Sequence, residues 1–500
     1  MLPGAVRRTA FLLVVALLVA AAWGLGRLSA SPGRRHVVVH APIPGIVVVC
    51  LDTLRADAVT PAPGSPGLPG LEAWAATATR FDDAIASSSW TGPSIATLLT
   101  GLDPWNHGFV EVAPGTRLAA GVPTLAARFA RAGWWTAAVT GGGWVSRASG
   151  LSNGFETASE DFDAEDPRVV IERWNGARPK DRPFFLFLHT YAPHDPYGDK
   201  SAAARERCDA SHGADVARLV NALDAPGAGP APVDLGAAFL AARLADPCRH
   251  DALVRAIGAP RAEALLGRYA AWLDGAWRDA PGGPALVTEL KQAYLRSLRF
   301  VDGRLRRTLE AVDALPAGTV VVVCSDHGEA FGEHGPLHHG RHLTPELVRA
   351  VLVVRVPGWP AGRVAATCGL VDVAPTLLEL AGLPIDAGFD GTSLSARVRG
   401  EGVGRPVPSL VAAPAAGPGA PDLRRVSVRD AGLAWTATFD LATGAWRDEA
   451  WFDRRRDPGE VAPADLAGIR SSAFDAAQRE VRDAVLDRYR LWTTGSDSGR

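Results

Sequence analysis

The chain has 500 residues, with 52 Lys plus Arg against 54 Asp plus Glu and a formal net charge of -2. This near balance argues against a nucleic-acid binder, which carries a basic excess. The length exceeds what one small core uses, and an apolar fraction of 47% suits a large α/β domain with a smaller unit attached.

Arg7 and Arg8 precede an apolar stretch from Ala10 to about Gly26. That length is near the lower bound for crossing a bilayer, and basic residues before a short apolar run also describe a signal peptide. Residues 1–30 are therefore expected to be a signal anchor or signal peptide, and either reading puts the remainder outside the cytoplasm. Residues 31–44 read as a linker. Ile46 to Leu51 is an unbroken apolar run, the pattern of a strand buried on both faces, and it ends in Asp52-Thr53-Leu54-Arg55-Ala56-Asp57. Leu71 to Thr79 has helical spacing. Ser89-Trp90-Thr91-Gly92-Pro93-Ser94 then leads into the apolar helix Ile95 to Leu99. Pro93 suits a first helical turn, which places Thr91 near a helix N-terminus. Unpaired amides there favour an anion such as sulfate or phosphate, while the simpler reading makes Thr91 a cap.

Thr124 to Ala132 reads as a helix and Trp135 to Thr140 as a strand. Phe184 to Leu188 is a third buried strand, followed by His189 and, further along the same loop, His194-Asp195-Pro196-Tyr197. Ligands in open α/β sheets bind beyond the carboxyl ends of the strands, so one or both histidines should face the site. Residues 198–283 are rich in Ala and Arg, with helical patterns at 236–257 and 261–278, and read as an inserted helical cap. A disulfide between Cys208 and Cys248 is expected outside the cytoplasm. Cys50 and Cys324 read as buried thiols, and the odd count of 5 cysteines leaves Cys368 over.

Lys291 to Val312 is an amphipathic helix feeding the strand Val320 to Cys324. That strand stops at Ser325-Asp326-His327-Gly328, with His334, His338 and His339 in the following loop. A carboxylate beside an imidazole suits Zn²⁺ or Mn²⁺ better than Ca²⁺. Two buried strands that each end in an acid can converge on one cation. Val351 to Val356 reads as a strand and Val371 to Leu380 as a helix. Beyond a Pro/Gly/Ala-rich linker, Val426 to Asp453 alternates like a small antiparallel sheet, and a helix follows from about Ser472 to Trp492.

Six segments carry a resemblance: VVVCLDTLRAD, SSWTGPSIATLLTGLDPWNHG, FFLFLHTYAPHDPY, SDHGEAFGEHG, VDVAPTLLELAGLP and FDRRRDPGE. In this order, from about Ile46 to about Glu460, they resemble the sulfatase family of the alkaline phosphatase superfamily. The resemblance implies an α/β, alkaline-phosphatase-like sandwich. Its mostly parallel central sheet would be flanked by helices, with a helical insertion and a small C-terminal antiparallel sheet. Residues 45–400 would be the catalytic domain and 401–500 a C-terminal subdomain.

The resemblance also implies a metal-dependent hydrolase or transferase of phosphate or sulfate esters. Asp52, Asp326 and His327 would hold a divalent cation (Zn, Mn, Mg or Ca), with Thr91 as a further ligand and the nucleophile. His194 or His339 would protonate the leaving oxygen. Arg55 would contact the substrate oxyanion or form a salt bridge with Asp57 or another acid. The family pattern Cys-x-Pro-Ser-Arg, whose cysteine becomes formylglycine, is here Thr91-Gly92-Pro93-Ser94-Ile95. Threonine cannot become formylglycine, and Ile95 replaces the arginine. Both departures resemble the phosphate-transferring relatives, whose nucleophile is a metal-bound threonine. Phosphoester chemistry is thus favoured. The alternatives are a sulfuric ester hydrolase and a catalytically inactive, membrane-tethered binding protein of the same fold. The expected partners are a small-molecule, glycan or lipid-headgroup ester, and the membrane through the N-terminal segment.

Overall fold

Three apolar strands in register organise the molecule. In the computed structural model, β1 (Gly45–Leu51) lies between Phe184–Thr190 and Val320–Ser325 and runs parallel to both. Cys50 pairs with His189 on one side and Cys324 on the other, and Leu51 pairs with Thr190 and Ser325. The three carboxyl ends are therefore level, and Asp52, Tyr191 and Asp326 leave the sheet at one edge. The structure describes residues 43–60, 65–111, 115–200, 210–223, 233–413, 422–464 and 471–493. The expected signal segment, most of the linker and Cys208 lie outside them.

The large sheet has eight strands. In chain order they are β1, β2 (Thr79–Phe81), β3 (Trp135–Val139), β4 (Thr157–Ser159), β5 (Phe184–Thr190), β6 (Val320–Ser325), β7 (Leu352–Arg355) and β8 (Gly362–Val364). Their spatial order is β8-β2-β7-β6-β1-β5-β3-β4. Strands β4, β3, β5, β1 and β6 are parallel, and β7 is antiparallel to both of its neighbours. Side chains alternate across a strand. Val47, Val49, Leu186, Val321 and Val323 accordingly pack on one face, and Ile46, Val48, Phe185, Val320 and Val322 on the other, all essentially inaccessible. Each such side chain contributes about 1.5–3 kcal/mol by leaving water.

Helices cover both faces. α1 (Thr91–Thr100) is buried along its whole length. α2 (Gly283–Asp313) spans 31 residues, and its apolar stripe from Leu286 to Val312 joins the core on the first face. It begins eight residues before the expected Lys291, because Pro284 starts the helix at its first turn. Helices also form at Val233–Leu240, Pro247–Ile257 and Ala259–Arg268. The periodicity at 236–257 suggested one helix, but a π turn at Ala241–Ala245 leads to Asp246, whose side chain caps a new helix at Pro247. The pattern at 261–278 likewise divides into Ala259–Arg268, Ala270–Leu273 and a 3₁₀ turn at Ala276–Arg278. Cys248 is disulfide-bonded, and Cys50, Cys324 and Cys368 are buried free thiols.

The C-terminal sheet is antiparallel, in the order β9 (Val407–Ala413), β10 (Leu423–Arg429), β11 (Leu433–Asp440) and β12 (Ala445–Asp453). α3 (Ser472–Thr493) packs Phe474, Val481 and Val485 against Val426, Val428 and Trp435 of this sheet. No helix among the described residues is long and apolar enough to cross a membrane.

Candidate active site

Asp52 follows β1, Asp326 and His327 follow β6, and Thr91 is the first residue of α1. All four are buried. Thr91 Oγ1 donates to Asp52 Oδ2 at 3.1 Å and lies 3.5 Å from His327 Nε2. His327 Nε2 is 3.8 Å from Asp52 Oδ1 and 3.6 Å from Asp326 Oδ2. With metal–ligand bonds of about 2.0–2.2 Å, neighbouring donors of one coordination shell sit roughly 3–3.6 Å apart. The observed spacings fall close to that range.

Two further observations fit a cation. Asp52 Oδ1 and Asp326 Oδ2 are buried without a hydrogen-bond partner, which is costly unless something positive faces them. The two carboxylates also crowd each other. Burial first, and then Asp52, push Asp326 up to about 6. Asp52 falls below the usual range: burial opposes this, but His189, His194 and His327 together outweigh it. His327 is raised because Asp326 and Asp52 outweigh its desolvation.

Backbone and neighbours hold the ligands in place. Asp326 Oδ1 accepts from the Thr53 amide at 3.2 Å and the His327 amide at 2.9 Å, leaving Oδ2 toward His327 Nε2. His327 Nδ1 lies 2.9 Å from the Gly328 carbonyl, so Nε2 is the nitrogen presented to the site. Ser94 Oγ donates to the Asp326 carbonyl at 2.5 Å and ties α1 to the end of β6. Gly328 is required by space, since a Cβ there would stand 2.0 Å from the Glu346 carbonyl oxygen.

His194 Nδ1 is anchored on Asp195, 2.8 Å from its backbone carbonyl oxygen and 3.0 Å from Oδ1, and its ring centroid lies 4.9 Å from that of His339. The His339 and His327 centroids are also 4.9 Å apart. The structure therefore brings His194, His339 and His327 into one group. Arg55 is placed elsewhere. Its guanidinium donates to Asp57 at 2.9 and 2.7 Å, to Glu333 at 2.8 Å and to the Glu329 carbonyl at 3.1 Å. Of the two expectations for Arg55, the ion pair is the one realised, because acids on both sides occupy its donors.

The expected site set omits several residues. His189 is fully buried with both ring nitrogens unpartnered, and its Nε2 is 3.4 Å from Asp52 Oδ2. Glu329 lies two residues past His327 and accepts from Tyr197 Oη at 2.7 Å. His338 Nε2 is 3.0 Å from Asp195 Oδ1, whose partner oxygen accepts from Arg243 at 2.6 Å. His339 is pushed down to about 3 by burial and by His338. His338 rises to about 9 against its own burial because Glu329 and Asp195 flank it. The inserted helices reach this loop too: Arg341 and His342 bind Asp274, and Trp277 donates to the Gly335 carbonyl at 2.7 Å.

With this geometry in view, the relatives can be placed. The sulfatase family model matches residues 44–383, and the chain belongs to that family. It is 25% identical over 393 aligned positions to an N-acetylglucosamine-6-O-sulfatase of Bacteroides thetaiotaomicron, covering 67% of each chain. A sulfatase of Formosa agariphila is 37% identical over 107 residues, 21% of each chain. A 2,3-bisphosphoglycerate-independent phosphoglycerate mutase of Desulforudis audaxviator is 39% identical over 102 residues, 20% of this chain and 19% of that one. The chain thus spans about a fifth of two of these relatives and two thirds of the other. A protein solved in complex with its substrate D-glucosamine-2-N,6-O-disulfate superposes with a TM-score of 0.60 at 19% identity, over 90% of this chain and 98% of that one. The alkaline-phosphatase-superfamily fold follows.

Proposed function

We propose that the protein is a metal-dependent hydrolase or transferase of phosphate or sulfate esters, with phosphoesters preferred and Thr91 as the nucleophile. The observation that carries this reading is the Thr91 hydroxyl, seated at the start of α1 and within 3.5 Å of both Asp52 and His327. A divalent cation held by Asp52, Asp326, His327 and Thr91 would acidify that hydroxyl and offset charge on the transferred group. Thr91 Oγ, its acidified proton released to solvent, would attack the phosphorus and form a threonine ester as the bond to the leaving oxygen breaks. His194, oriented through Nδ1 by Asp195, would give that oxygen its proton. Water or a second alcohol would then displace Thr91, losing its proton to His194. The start of α1 would stabilise negative charge in both steps.

Ile95 occupies the position one turn beyond Thr91 and is fully buried, so this turn offers no guanidinium to a sulfate group. That favours phosphate. Similarity to a phosphoglycerate mutase over 102 residues points the same way. The test is kcat/KM for matched aryl phosphate, aryl phosphodiester and aryl sulfate, each with Zn²⁺, Mn²⁺, Mg²⁺ and Ca²⁺. A phosphate ester should be cleaved fastest. A preference for aryl sulfate would overturn the phosphate reading and leave the fold standing. We also propose that residues 1–30 place this domain outside the cytoplasm, tethered or secreted. Resistance of the domain to protease added to intact cells would contradict that.

A further inference from the structure

A cavity of about 290 Å³ lies where the loop carrying His327 meets the C-terminal subdomain, and none of the proposed cation ligands lines it. Glu333 and His334 of that loop form one side, and Gly459 belongs to the other. We propose that this cavity binds a small carboxylate anion with a hydrogen-bond donor beside the carboxylate, as in a 2-hydroxy or 2-amino acid. The proposal does not depend on the role given to Thr91.

Most charged groups of the wall are already paired. Arg55 bonds Asp57 and Glu333, and both Asp57 oxygens face Arg55. Glu333 also accepts from Lys291 at 3.1 Å and from the Phe331 amide at 2.8 Å. His334 Nδ1 lies 2.8 Å from Glu346 Oε2, and its Nε2 lies 2.6 Å from the Gly459 carbonyl oxygen. Both nitrogens face acceptors, so the ring carries two protons and balances the charge of Glu346.

Arg349 and Glu346 Oε1 are left. Among the described residues nothing bonds the Arg349 guanidinium, and its Nε is buried. Asp57 and Asp83 lie near enough to feel its charge, but Arg55 and Arg454 occupy them. Glu346 is only 9% exposed, and its Oε1 is buried without a partner. A buried acceptor left unpaired costs stability. The cavity thus presents one unbalanced positive charge and one unused acceptor. A carboxylate can take the guanidinium fork of Arg349, and an adjacent O–H or N–H can donate to Glu346 Oε1. Sulfate offers no such donor. The volume is at the small end for ligand pockets, which suits a molecule of few heavy atoms.

The test is isothermal titration of the full chain with L-lactate, L-alanine, propionate and ethylamine at matched ionic strength. L-lactate or L-alanine should bind saturably below about 20 mM. Which of them binds tighter separates the hydroxy from the amino source. Propionate and ethylamine each lack one of the two groups and should bind at least about tenfold more weakly. Arg349→Met should abolish binding, and Arg349→Lys, which keeps the charge without the fork, should weaken it about tenfold. In Glu346→Gln the amide oxygen must face the His334 donor, so its NH₂ group meets the ligand's donor and the preference over propionate should vanish. Circular dichroism and the melting temperature without ligand identify any variant that fails to fold. Binding of neither acid by wild type, or undiminished binding by folded Arg349→Met or Arg349→Lys, would overturn the site and leave a solvent-filled cleft. Propionate bound as tightly as both acids would overturn the donor requirement and with it the ligand class.

Discussion

Thr91 Oγ1 donates a hydrogen bond to Asp52 Oδ2 across 3.1 Å, joining the start of a helix to the end of the central strand. This contact aims the hydroxyl, so its chemistry depends on the oxygen and little on the methyl group. Thr91→Ser should therefore keep turnover within about tenfold, while Thr91→Val, similar in shape but without the hydroxyl, should lose about a thousandfold or more. Steady-state rates with an aryl phosphate decide this. A Val variant as active as wild type would remove Thr91 from the reaction.

Gly328 is expected to be intolerant of any side chain. A Cβ would meet the Glu346 carbonyl oxygen at 2.0 Å, where the Gly328 amide already donates to the Leu347 carbonyl at 2.8 Å. Gly328→Ala must shift the turn that carries Asp326 and His327. Its cation affinity should fall by about 10–100-fold, measured by titration of the stripped protein. Unchanged affinity would show that the turn yields without moving the ligands.

Arg55→Met separates a structural from a catalytic role. Arg55 is nearly inaccessible, whereas Asp57 is largely exposed and Glu333 partly so. Solvent screening discounts the Asp57 pair, which leaves Glu333 and the Glu329 carbonyl as the main losses. The variant should lose roughly 1–3 kcal/mol of stability by denaturant unfolding, with KM close to wild type. A large rise in KM at unchanged stability would restore Arg55 as a substrate contact.

Asp103 gives the fold a pH dependence distant from any proposed ligand. Burial pushes it up to about 8; Arg405 opposes this, and Asp390, Glu480 and Asp372 add to it. Between the ordinary carboxylate range and about pH 8 the native state keeps a proton that the unfolded state has released. Stability from this group is therefore full at low pH and is lost as pH rises through about 8. Asp103→Asn should gain on wild type as pH rises from 5 to 8, by roughly 1–3 kcal/mol at the upper end. Parallel melting curves across pH 5–8 would contradict the assignment.

Much of this was legible in the sequence for a physical reason. Runs such as Ile46–Leu51 and Val320–Cys324 have one reading as doubly buried strands, and the carboxyl-end rule then placed Asp52, Asp326 and His327 together. The motif order supplied Thr91. The setting of Glu329 and His338 was not legible, because the side chains that hold them, Tyr197 on Glu329 and the Asp195–Arg243 pair on His338, are distant in the chain. The left-handed φ at His338 was not readable either, since only a small fraction of non-glycine residues adopt it. The break at Asp246-Pro247 was readable as a cap followed by proline, but the continuous helical period obscured it.

The most direct test of the account is to find the covalent intermediate. The full chain, turning over an aryl phosphate, is quenched in acid, digested and examined by mass spectrometry. The account predicts a phosphoryl group on Thr91 itself, absent from Thr91→Ala, which should also show no turnover. Steady turnover with no adduct on Thr91, together with an active Thr91→Ala, would contradict it.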